Sequence, residues 1–384
     1  MLDRARAIQD QLTAWRRDIH SHPELGFQEA RTSALVAEQL SALGYRVRAA
    51  VGRTGVVGER GAGHPIVALR ADMDALPIQE ASDVAYASRT PGVMHACGHD
   101  CHTAILLGVA RLLSEEDFPG TLRLLFQPAE ETQDDEGKSG AQRMIEDGAI
   151  DGVDLALALH VDAQTPVGKI TLAAGRINAG VDAFEATITG RGGHGAYPHL
   201  AVDPILIAGH VILALHGIVS RRIHPRDPAV ISIGTIHGGK AGNVIPQHVR
   251  IKGTIRYTEV EVQEKLHAEI DRAFQIAQTL GGDYALTIDR GYPPMVNSQE
   301  AVDLVRQVAE DLLGAENIKP RRQEMGAEDF GYFSAISSGA MFNLGCRIEG
   351  DERFHHHPRF DVDERCLPIG AAILARAALH RLRG

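Results

Sequence analysis

The chain has few cysteines, no excess of positive charge and no long apolar run, and each shortage excludes a class of protein. Four cysteines in 384 residues are too few for a disulfide-stabilised scaffold of this size. A formal net charge of −11 argues against nucleic acid or an anionic membrane as the main partner. The apolar runs are all shorter than the ~20 residues that a membrane span needs.

Residues 1–20 also lack the apolar core of a secretion signal, because charged residues occur throughout this segment. Together with the small number of cysteines, this predicts a cytoplasmic protein whose thiols are free or metal-bound. Apolar residues make up 44% of the chain, which is enough for a substantial core. The length favours two domains.

The distribution of apolar residues predicts an α/β domain interrupted by an α+β domain. Continuous apolar runs in PIVALRADMDALP, GTLRLLFQ and VDLALALH alternate with helical patterns, as expected of a largely parallel sheet covered by helices. From about residue 179, DAFEATIT and HVRIKGTIRYT alternate apolar and polar side chains, which is typical of half-exposed antiparallel strands. We predict a discontinuous domain at 1–178 and 289–384 and an inserted domain at 179–288. Helices are expected over 3–20 and from Pro204, capped by Asp203, to about Arg222.

Side chains that bind divalent metals follow the predicted strands. They are a thiol, imidazoles and carboxylates, namely Cys97, His99, Glu130, Glu131, His160 and the run His355, His356 and His357. Ligands bind at the carboxyl ends of parallel strands, so we expect these groups to converge. Each has an alternative explanation: a buried free cysteine, a core histidine or a solvated surface pair. Their shared position favours one metal site, rich in the ligands that zinc prefers.

The adjacent glutamates indicate catalysis, because one carboxylate can bind metal while its neighbour moves protons. Asp74 lies two residues beyond Asp72, and we predict that it orients a ligand histidine from the second coordination shell. The two aspartates could equally close a loop. Asp100 is expected to cap the helix that follows it, whose N-terminus would help to keep Cys97 a thiolate.

The chain resembles the co-catalytic metallopeptidase and aminoacylase family, in the branch that contains hippurate hydrolase, N-acetyl-diaminopimelate deacetylase and plant auxin-conjugate amidohydrolases. The motifs that carry the resemblance span nearly the whole chain in order: RRDIHSHPELGFQE, LRADMDALPIQE, MHACGHDCHTA, FQPAEE, GGHGAYPH, GGKAGNVIP, GTIRYT, MGAEDFGYF and HHPRFDVDE. The resemblance implies a zinc-exopeptidase-like catalytic domain with an inserted lid and dimerisation domain.

The resemblance also implies the roles of individual residues. The expected metal ligands are Cys97, His99, Glu131, His160 and His356, with Cys97 bridging two ions and Glu130 as the general base. His356 is obtained by aligning on Pro358; the family has leucine where this chain has His355.

Three residues of the inserted domain are expected to contact the substrate. His194, on a glycine-rich turn, would donate to the oxyanion, in relatives often from a partner subunit. Asn243 and Arg256 would hold a free carboxylate, for which arginine is the natural bidentate partner.

The resulting hypothesis is an amidohydrolase that cleaves N-acyl amino acids, with two divalent metal ions and a homodimer formed through the inserted domain. The thiolate favours zinc, while manganese, cobalt and nickel stay open. A dipeptidase or carboxypeptidase with the same site is the main alternative. A mononuclear zinc hydrolase and a metal-binding protein without turnover are the others.

Overall fold

A computed structural model describes residues 1–350 and 353–384 of the chain. The chain divides into two compact units. The first contains Met1–Ile177, Val296–Arg322 and Asp329–Gly384, and the second contains Asn178–Met295 and Gln323–Glu328. The sequence predicted an inserted domain that begins after residue 178 and ends at residue 288.

The second unit also includes a short segment that the sequence assigned to the first. The N–H of Ala179 donates to the carbonyls of Glu324 (3.1 Å) and Gly326 (3.1 Å), and this backbone pairing holds Gln323–Glu328 in the second unit.

The helices are α1 (Leu2–Arg6), α2 (Gln9–Ser21), α3 (Ala30–Ala42), α4 (His99–Leu113), α5 (Gly140–Glu146), α6 (Pro204–Arg222), α7 (Val260–Phe274), α8 (Ile276–Thr279), α9 (Gln299–Leu313), α10 (Phe330–Ile336) and α11 (Leu367–Arg383). The strands are β1 (Arg46–Val51), β2 (Gly55–Ala62), β3 (Ile66–Asp72), β4 (Gly120–Gln127), β5 (Leu155–Pro166), β6 (Ile170–Leu172), β7 (Gly175–Asn178), β8 (Gly180–Thr189), β9 (Gly193–His194), β10 (Ala229–Gly238), β11 (Val244–Ile245), β12 (His248–Tyr257), β13 (Asp283–Arg290), β14 (Met295–Asn297), β15 (Ile318–Pro320) and β16 (Ser338–Arg347).

A mixed sheet forms the centre of the first unit, in the order β1-β2-β4-β3-β5-β16-β6-β15. Its central strands β4, β3, β5 and β16 run parallel, and β1 and β2 pair antiparallel at one edge. Successive side chains of β5 from Leu155 to Leu159 are all buried, which requires cover on both faces of the sheet. The predicted α/β fold with a mostly parallel sheet is therefore confirmed.

The second unit contains an antiparallel sheet in the order β10-β12-β8-β13, with α6 and α7 packed against it. Along β12, Val249, Ile251, Ile255 and Tyr257 are buried. The predicted alternation of this strand is confirmed. Asp203 caps α6 by accepting the N–H of Ile205 at 2.9 Å, also as predicted.

Two local predictions were wrong. The helix expected over 3–20 is interrupted between α1 and α2 around Ala7 and Ile8, where the backbone turns. His160 lies within β5 instead of at its end, because the strand continues to Pro166 in register with β16.

Within residues 1–350 and 353–384, one helix has the length and composition of a membrane span. In α6 the most apolar window has a mean hydropathy of 1.5, and 33% of that window is buried. Its buried residues, among them Val211 and Leu215, belong to the core of the second unit.

Candidate metal centre

The candidate ligands converge at the end of the first unit where the parallel strands finish. The strand β3 ends at Asp72, β4 ends at Gln127 shortly before the two glutamates, and α4 begins at His99. Parallel strands present their carboxyl ends at one edge, which is why motifs far apart in sequence meet there.

Three overlapping groups of ligand atoms describe the cluster. In each group the atoms lie within 4.8 Å of one another, and the groups are Cys97 with His99 and His160, His99 with Glu130 and Glu131, and Cys97 with Glu131 and His356. The structure thus brings together all five predicted ligands and the predicted base. Which of them binds metal stays a prediction.

The contacts of His99 leave one ring nitrogen for a metal. Its Nδ1 lies 2.9 Å from the backbone oxygen of Asp74 and 3.1 Å from Asp74 Oδ1, so Nδ1 carries the proton. Its Nε2 is buried and has no hydrogen-bond partner among the described residues. Asp74 Oδ2 also accepts the N–H of Glu131 at 2.9 Å. Asp74 therefore orients His99 and places the glutamate turn at the same time.

His160 is oriented in a similar way by the backbone. Its Nδ1 donates to the carbonyl of Val161 at 2.8 Å, and its Nε2 lies 3.6 Å from Cys97 Sγ. The lone pair of Nε2 and the thiol therefore face a common point. A thiol and an imidazole must be arranged in this way if both are to bind the same metal ion.

The three neighbouring histidines of the run occupy different environments. His356 Nε2 lies 3.0 Å from Glu131 Oε1, and the His356 N–H donates to Ala96 O at 2.7 Å with φ at +61°. The half-buried His355 directs Nδ1 to Cys97 O at 3.2 Å, whereas His357 Nδ1 accepts a backbone N–H. Only His356 of the three joins a ligand group among the described residues.

A further histidine, His102, lies in the site but is already occupied at both nitrogens. Its Nδ1 donates to Asp72 Oδ1 at 2.6 Å, and its Nε2 accepts the N–H of Val161 at 2.9 Å. The other oxygen of Asp72 accepts from Arg70 at 2.6 Å. His102 therefore holds the backbone beside His160 in place and is not a candidate ligand, although it forms a group with Asp72 and His99.

Sequence reasoning did not single out His102. The spacing of His99 and His102 contained a usable signal, since residues three apart on a helix lie on one face. The spacing could not show that His102 Nε2 accepts a hydrogen bond from the backbone of β5.

The electrostatics of the cluster suit a bound cation. Burial, together with the carboxylates of Glu131 and Glu130, raises the pKa of Cys97 well above its usual value. Burial opposes protonation of His99, but the carboxylates of Asp72 and Asp74 raise its pKa to about 10. A buried thiol surrounded by acids becomes a thiolate only when positive charge is nearby, so the donor set fits divalent metal ions.

The predicted role of Asp100 was wrong. Gly98, with φ at +96°, occupies the N-cap of α4, and no side chain caps the helix. The Asp100 carboxylate accepts from Arg16 Nε at 2.8 Å and lies 2.8 Å from His20 Nδ1. The carboxylate is therefore held by the buried Arg16 guanidinium and does not cap α4, and burial raises the pKa of the Cys97 thiol.

The remaining predicted residues lie in the second unit. The ribbon of β9 and β11 pairs His194 with Val244, and the Gly195 N–H donates to Asn243 O at 2.8 Å, so His194 and Asn243 are neighbours. The N–H of Ala196 donates to His194 Nδ1 at 3.0 Å. In the neutral ring the proton is therefore on Nε2, which is exposed and able to donate.

Arg256 lies half-buried on β12 and interacts with neutral acceptors. Its guanidinium donates to Thr254 Oγ1 at 2.6 Å and to Ile255 O at 3.3 Å; these are its hydrogen bonds among the described residues. Burial lowers the pKa of Arg256, and the charge of Asp182 acts in the opposite direction.

A cluster of thiol, imidazole and carboxylate groups at the carboxyl edge of an α/β sheet fits a metal-dependent hydrolase. Residues 68–380 match the peptidase family M20/M25/M40, to which this chain belongs.

The chain is 42% identical over 384 residues to thermostable carboxypeptidase 2 of Saccharolobus solfataricus, covering 97% of this chain and 95% of that protein. It is 40% identical to IAA-amino acid hydrolase ILR1-like 2 of Arabidopsis thaliana, and the alignment covers 97% of this chain and 86% of that protein.

A solved structure supports the same family. The Bacillus subtilis YXEP protein, described as a dinuclear metal-binding peptidase from the M20 family, superposes with a TM-score of 0.84 at 32% identity, covering 98% of this chain and 99% of that one. The protein is thus a member of a family of dinuclear metal-dependent amidohydrolases and peptidases, as the motifs implied.

Proposed function

We propose that the protein hydrolyses the amide bond of N-acyl amino acids, of the N-acetyl or N-benzoyl type, to a carboxylic acid and a free amino acid. The observation that carries the proposal is the different placement of two adjacent glutamates. The Glu131 carboxylate lies 3.0 Å from His356 Nε2 and forms a group of potential metal ligands with Cys97 and His356. The Glu130 carboxylate does not belong to that group and instead lies near the ligand atoms of His99 and Glu131. Two neighbours with different surroundings suit two roles, ligand and base.

Two divalent ions would be held by Cys97, His99, Glu131, His160 and His356. When bound, such ions supply a water of lowered pKa and polarise the scissile carbonyl. The thiolate and imidazole donors favour zinc, while manganese, cobalt and nickel fit the remaining ligands.

Glu130 is the proposed general base. Its carboxylate accepts a proton from the attacking water as the new C–O bond forms, and it returns that proton to the nitrogen as the C–N bond breaks. Glu130 is buried, which keeps bulk water from competing for the proton.

His194 is the proposed oxyanion donor. The Ala196 N–H occupies Nδ1 and so places the proton of the neutral ring on Nε2, the form that donates to a developing oxyanion. Asn243, its neighbour across the ribbon, and Arg256 would bind the free carboxylate of the amino acid. A half-buried guanidinium whose hydrogen bonds go to neutral oxygens has donors to spare for such an anion.

A carboxypeptidase or dipeptidase activity is the second candidate, because a 42% identical relative is named a thermostable carboxypeptidase. Peptides and N-acyl amino acids share the amide and the terminal carboxylate, so the same groups serve both. A metal-storage role explains the cluster less well, since it has no use for a second glutamate.

The second unit also supports the proposal of a homodimer. On α6, Leu206 and Leu213 lie on one stripe and are 60% and 74% exposed, and Ile236 on the edge strand β10 is 50% exposed. An apolar helix stripe beside an open sheet edge needs cover, and a two-fold contact would supply it.

All four cysteines are buried and free, which suits the reducing cytosol in which we place the protein.

The test is to load the protein with each metal and assay it against N-acetyl amino acids, N-benzoyl amino acids and dipeptides. Glu130→Gln should retain two metal ions per chain while kcat falls by about a hundredfold or more, the usual scale for a general base. Glu131→Ala should instead lose metal. Near-normal turnover by Glu130→Gln would assign the proton transfer to another residue, and hydrolysis of dipeptides alone would favour the second candidate.

A further inference from the structure

We propose that Glu29 is a positioning residue that holds the Glu130 turn, defined as residues 128–131, and thereby sets the direction of the Glu130 side chain. The inference rests on the proposed function, because it concerns how the general base is placed. Glu29 lies in the PELGFQE segment of the first unit, a hundred residues before the turn that it contacts.

The Glu130 turn contains a residue in an unfavourable conformation. Ala129 has φ at +44°, a left-handed backbone that costs energy for any residue with a Cβ atom. Since the sequence has alanine here and not glycine, contacts from outside the turn must hold it. The dihedral angles at residue 129 also set where the next Cα–Cβ bond points, so they direct Glu130.

Both sides of Glu130 are held by buried carboxylates from other segments. Glu29 Oε1 accepts the N–H of Ala129 at 2.8 Å, and Asp74 Oδ2 accepts the N–H of Glu131 at 2.9 Å. Glu29 is completely buried, and Asp74 is 1% exposed. The two acids therefore fix the residues immediately before and after the proposed base.

The opposite side of the turn is closed by Gly140. Its N–H donates to Ala129 O at 3.0 Å, so the Ala129 peptide unit is held on both its donor and its acceptor side. A Cβ atom at residue 140 would lie 1.6 Å from Pro128 O, which makes this close approach possible only for glycine.

The second oxygen of Glu29 is held as firmly as the first. Glu29 Oε2 accepts from Thr54 Oγ1 at 2.5 Å, so the carboxylate has a defined orientation. Although Glu29 precedes α3, its side chain makes no capping hydrogen bond to that helix. Its placement therefore serves the Glu130 turn and not the helix.

The placement of a carboxylate at residue 29 has an electrostatic cost. Burial and the nearby Asp74 carboxylate raise the pKa of Glu29 to about 7. A neutral side chain could satisfy one N–H without this repulsion, so a carboxylate in this position weakens the fold that surrounds it.

Glu24 provides a matched control in the same segment. Its Oε1 accepts the N–H of Arg31 at 2.8 Å, and its Oε2 accepts the N–H of Thr32 at 2.8 Å. Glu24 thus also binds backbone N–H groups through both oxygens, but at the start of α3 and not at the Glu130 turn. Loss of Glu24 should weaken the fold without moving Glu130.

The experiment compares Glu29→Ala, Glu29→Gln and Glu24→Ala in the metal-loaded full chain with the N-acyl amino acid that the wild type cleaves best. For Glu29→Ala we expect kcat to fall about tenfold or more, with KM within about twofold and metal content unchanged, because small misplacements of a reacting group are costly. Glu29→Gln should recover most of kcat, since its amide oxygen accepts the Ala129 N–H and its NH₂ donates to Thr54. Glu24→Ala should keep kcat within about twofold.

Hydrogen exchange supplies a readout that needs no substrate. The peptide that covers residues 127–132 should exchange faster in Glu29→Ala than in the wild type and Glu24→Ala. If Glu29→Ala does not fold, Thr54→Val, which removes only the hydroxyl that holds Glu29, should change exchange and kcat in the same direction to a smaller extent.

Glu130→Gln, measured in parallel, separates the two hypotheses. An inactive Glu130→Gln with a fully active, normally exchanging Glu29→Ala would overturn the positioning role alone. Equal loss of kcat in Glu24→Ala, or no recovery in Glu29→Gln, would also overturn it. An active Glu130→Gln would instead overturn the assignment of the base, while faster exchange in Glu29→Ala would still report the contact.

Discussion

Single residues in the candidate metal centre differ chiefly in which ring nitrogen their neighbours leave available. His99 and His160 each use Nδ1 on a backbone carbonyl and direct Nε2 toward the cluster. His102 is as deeply buried as His99, yet both of its nitrogens are occupied. The chemistry of each histidine therefore depends on its hydrogen-bond partners more than on its burial.

The histidine run allows a direct test at this scale. His356→Ala should lower the metal content measured by elemental analysis after dialysis more than His355→Ala or His357→Ala, because only His356 directs a ring nitrogen to Glu131. The neighbours serve as matched controls of identical chemistry. Greater loss in His355→Ala would mean that the half-buried ring beside Cys97 is the ligand.

The buried acid Glu29 makes a prediction about stability and pH. Its pKa rises from 4.5 to about 7 on folding, so its protonated form stabilises the native state below its unfolded pKa. That contribution is lost as the pH rises through about 7. Glu29→Gln does not titrate, so its melting temperature relative to wild type should increase between pH 5 and pH 8, on the order of a few degrees. The melting temperatures are measured by calorimetry. If the difference between Glu29→Gln and wild type is the same at pH 5 and pH 8, the raised pKa of Glu29 is contradicted.

At the scale of elements, the strand β12 presents a buried apolar face and a polar face that contains Arg250, Lys252 and Arg256. Among these cations, Lys252 pairs with Glu185 at 2.8 Å, whereas Arg256 is half-buried beside Thr254. The alternation of apolar and polar side chains along β12 therefore leaves Arg256 half-buried on the polar face. A partly desolvated guanidinium in this position is suited to binding an anion.

Replacement of this arginine should affect binding more than turnover. Arg256→Ala should raise KM for carboxylate-bearing substrates by about tenfold or more, the scale of a lost hydrogen bond to a charged group. Substrates with an amidated carboxyl should be little affected. Arg250→Ala, an exposed arginine on the same face, is the control, and an equal rise in KM for both variants would remove the specific role of Arg256.

At the scale of the whole molecule, the second unit has an apolar surface that no part of the described chain covers. The exposed residues Leu206 and Leu213 of α6 and Ile236 of β10 lie outside the hydrophobic core of that unit. We expect a homodimer in solution, with Leu213→Asp shifting it to monomer in light scattering without a large loss of melting temperature.

The resemblance implies that His194 of one subunit acts at the metal centre of its partner, and the expected dimer makes this testable. His194→Ala and Glu130→Gln subunits, each inactive alone, should recover part of the activity when mixed, because one hybrid site then regains both wild-type groups. Subunit exchange is verified first with differently tagged chains. If verified heterodimers stay inactive, His194 acts within its own chain or not at all.

Motif order and apolar periodicity were sufficient to predict the α/β fold, the alternation of β12 and the set of side chains that meet at the sheet edge. These features are local, because strand periodicity and the position of ligand-type residues beside strands are both set over fewer than twenty residues. The break between α1 and α2 was missed because the apolar pattern of 3–20 continues across it.

The hydrogen-bond partners within the site were decided only by the tertiary structure. Asp100 binds Arg16, His102 binds the backbone of β5, and Glu29 binds Ala129, across separations of 84, 59 and 100 residues. A buried polar group takes whichever partner the packed core places beside it, since leaving it unpaired costs more than any local preference gains. Local sequence therefore supplied the chemical groups of the centre, and long-range packing assigned the contacts of each one.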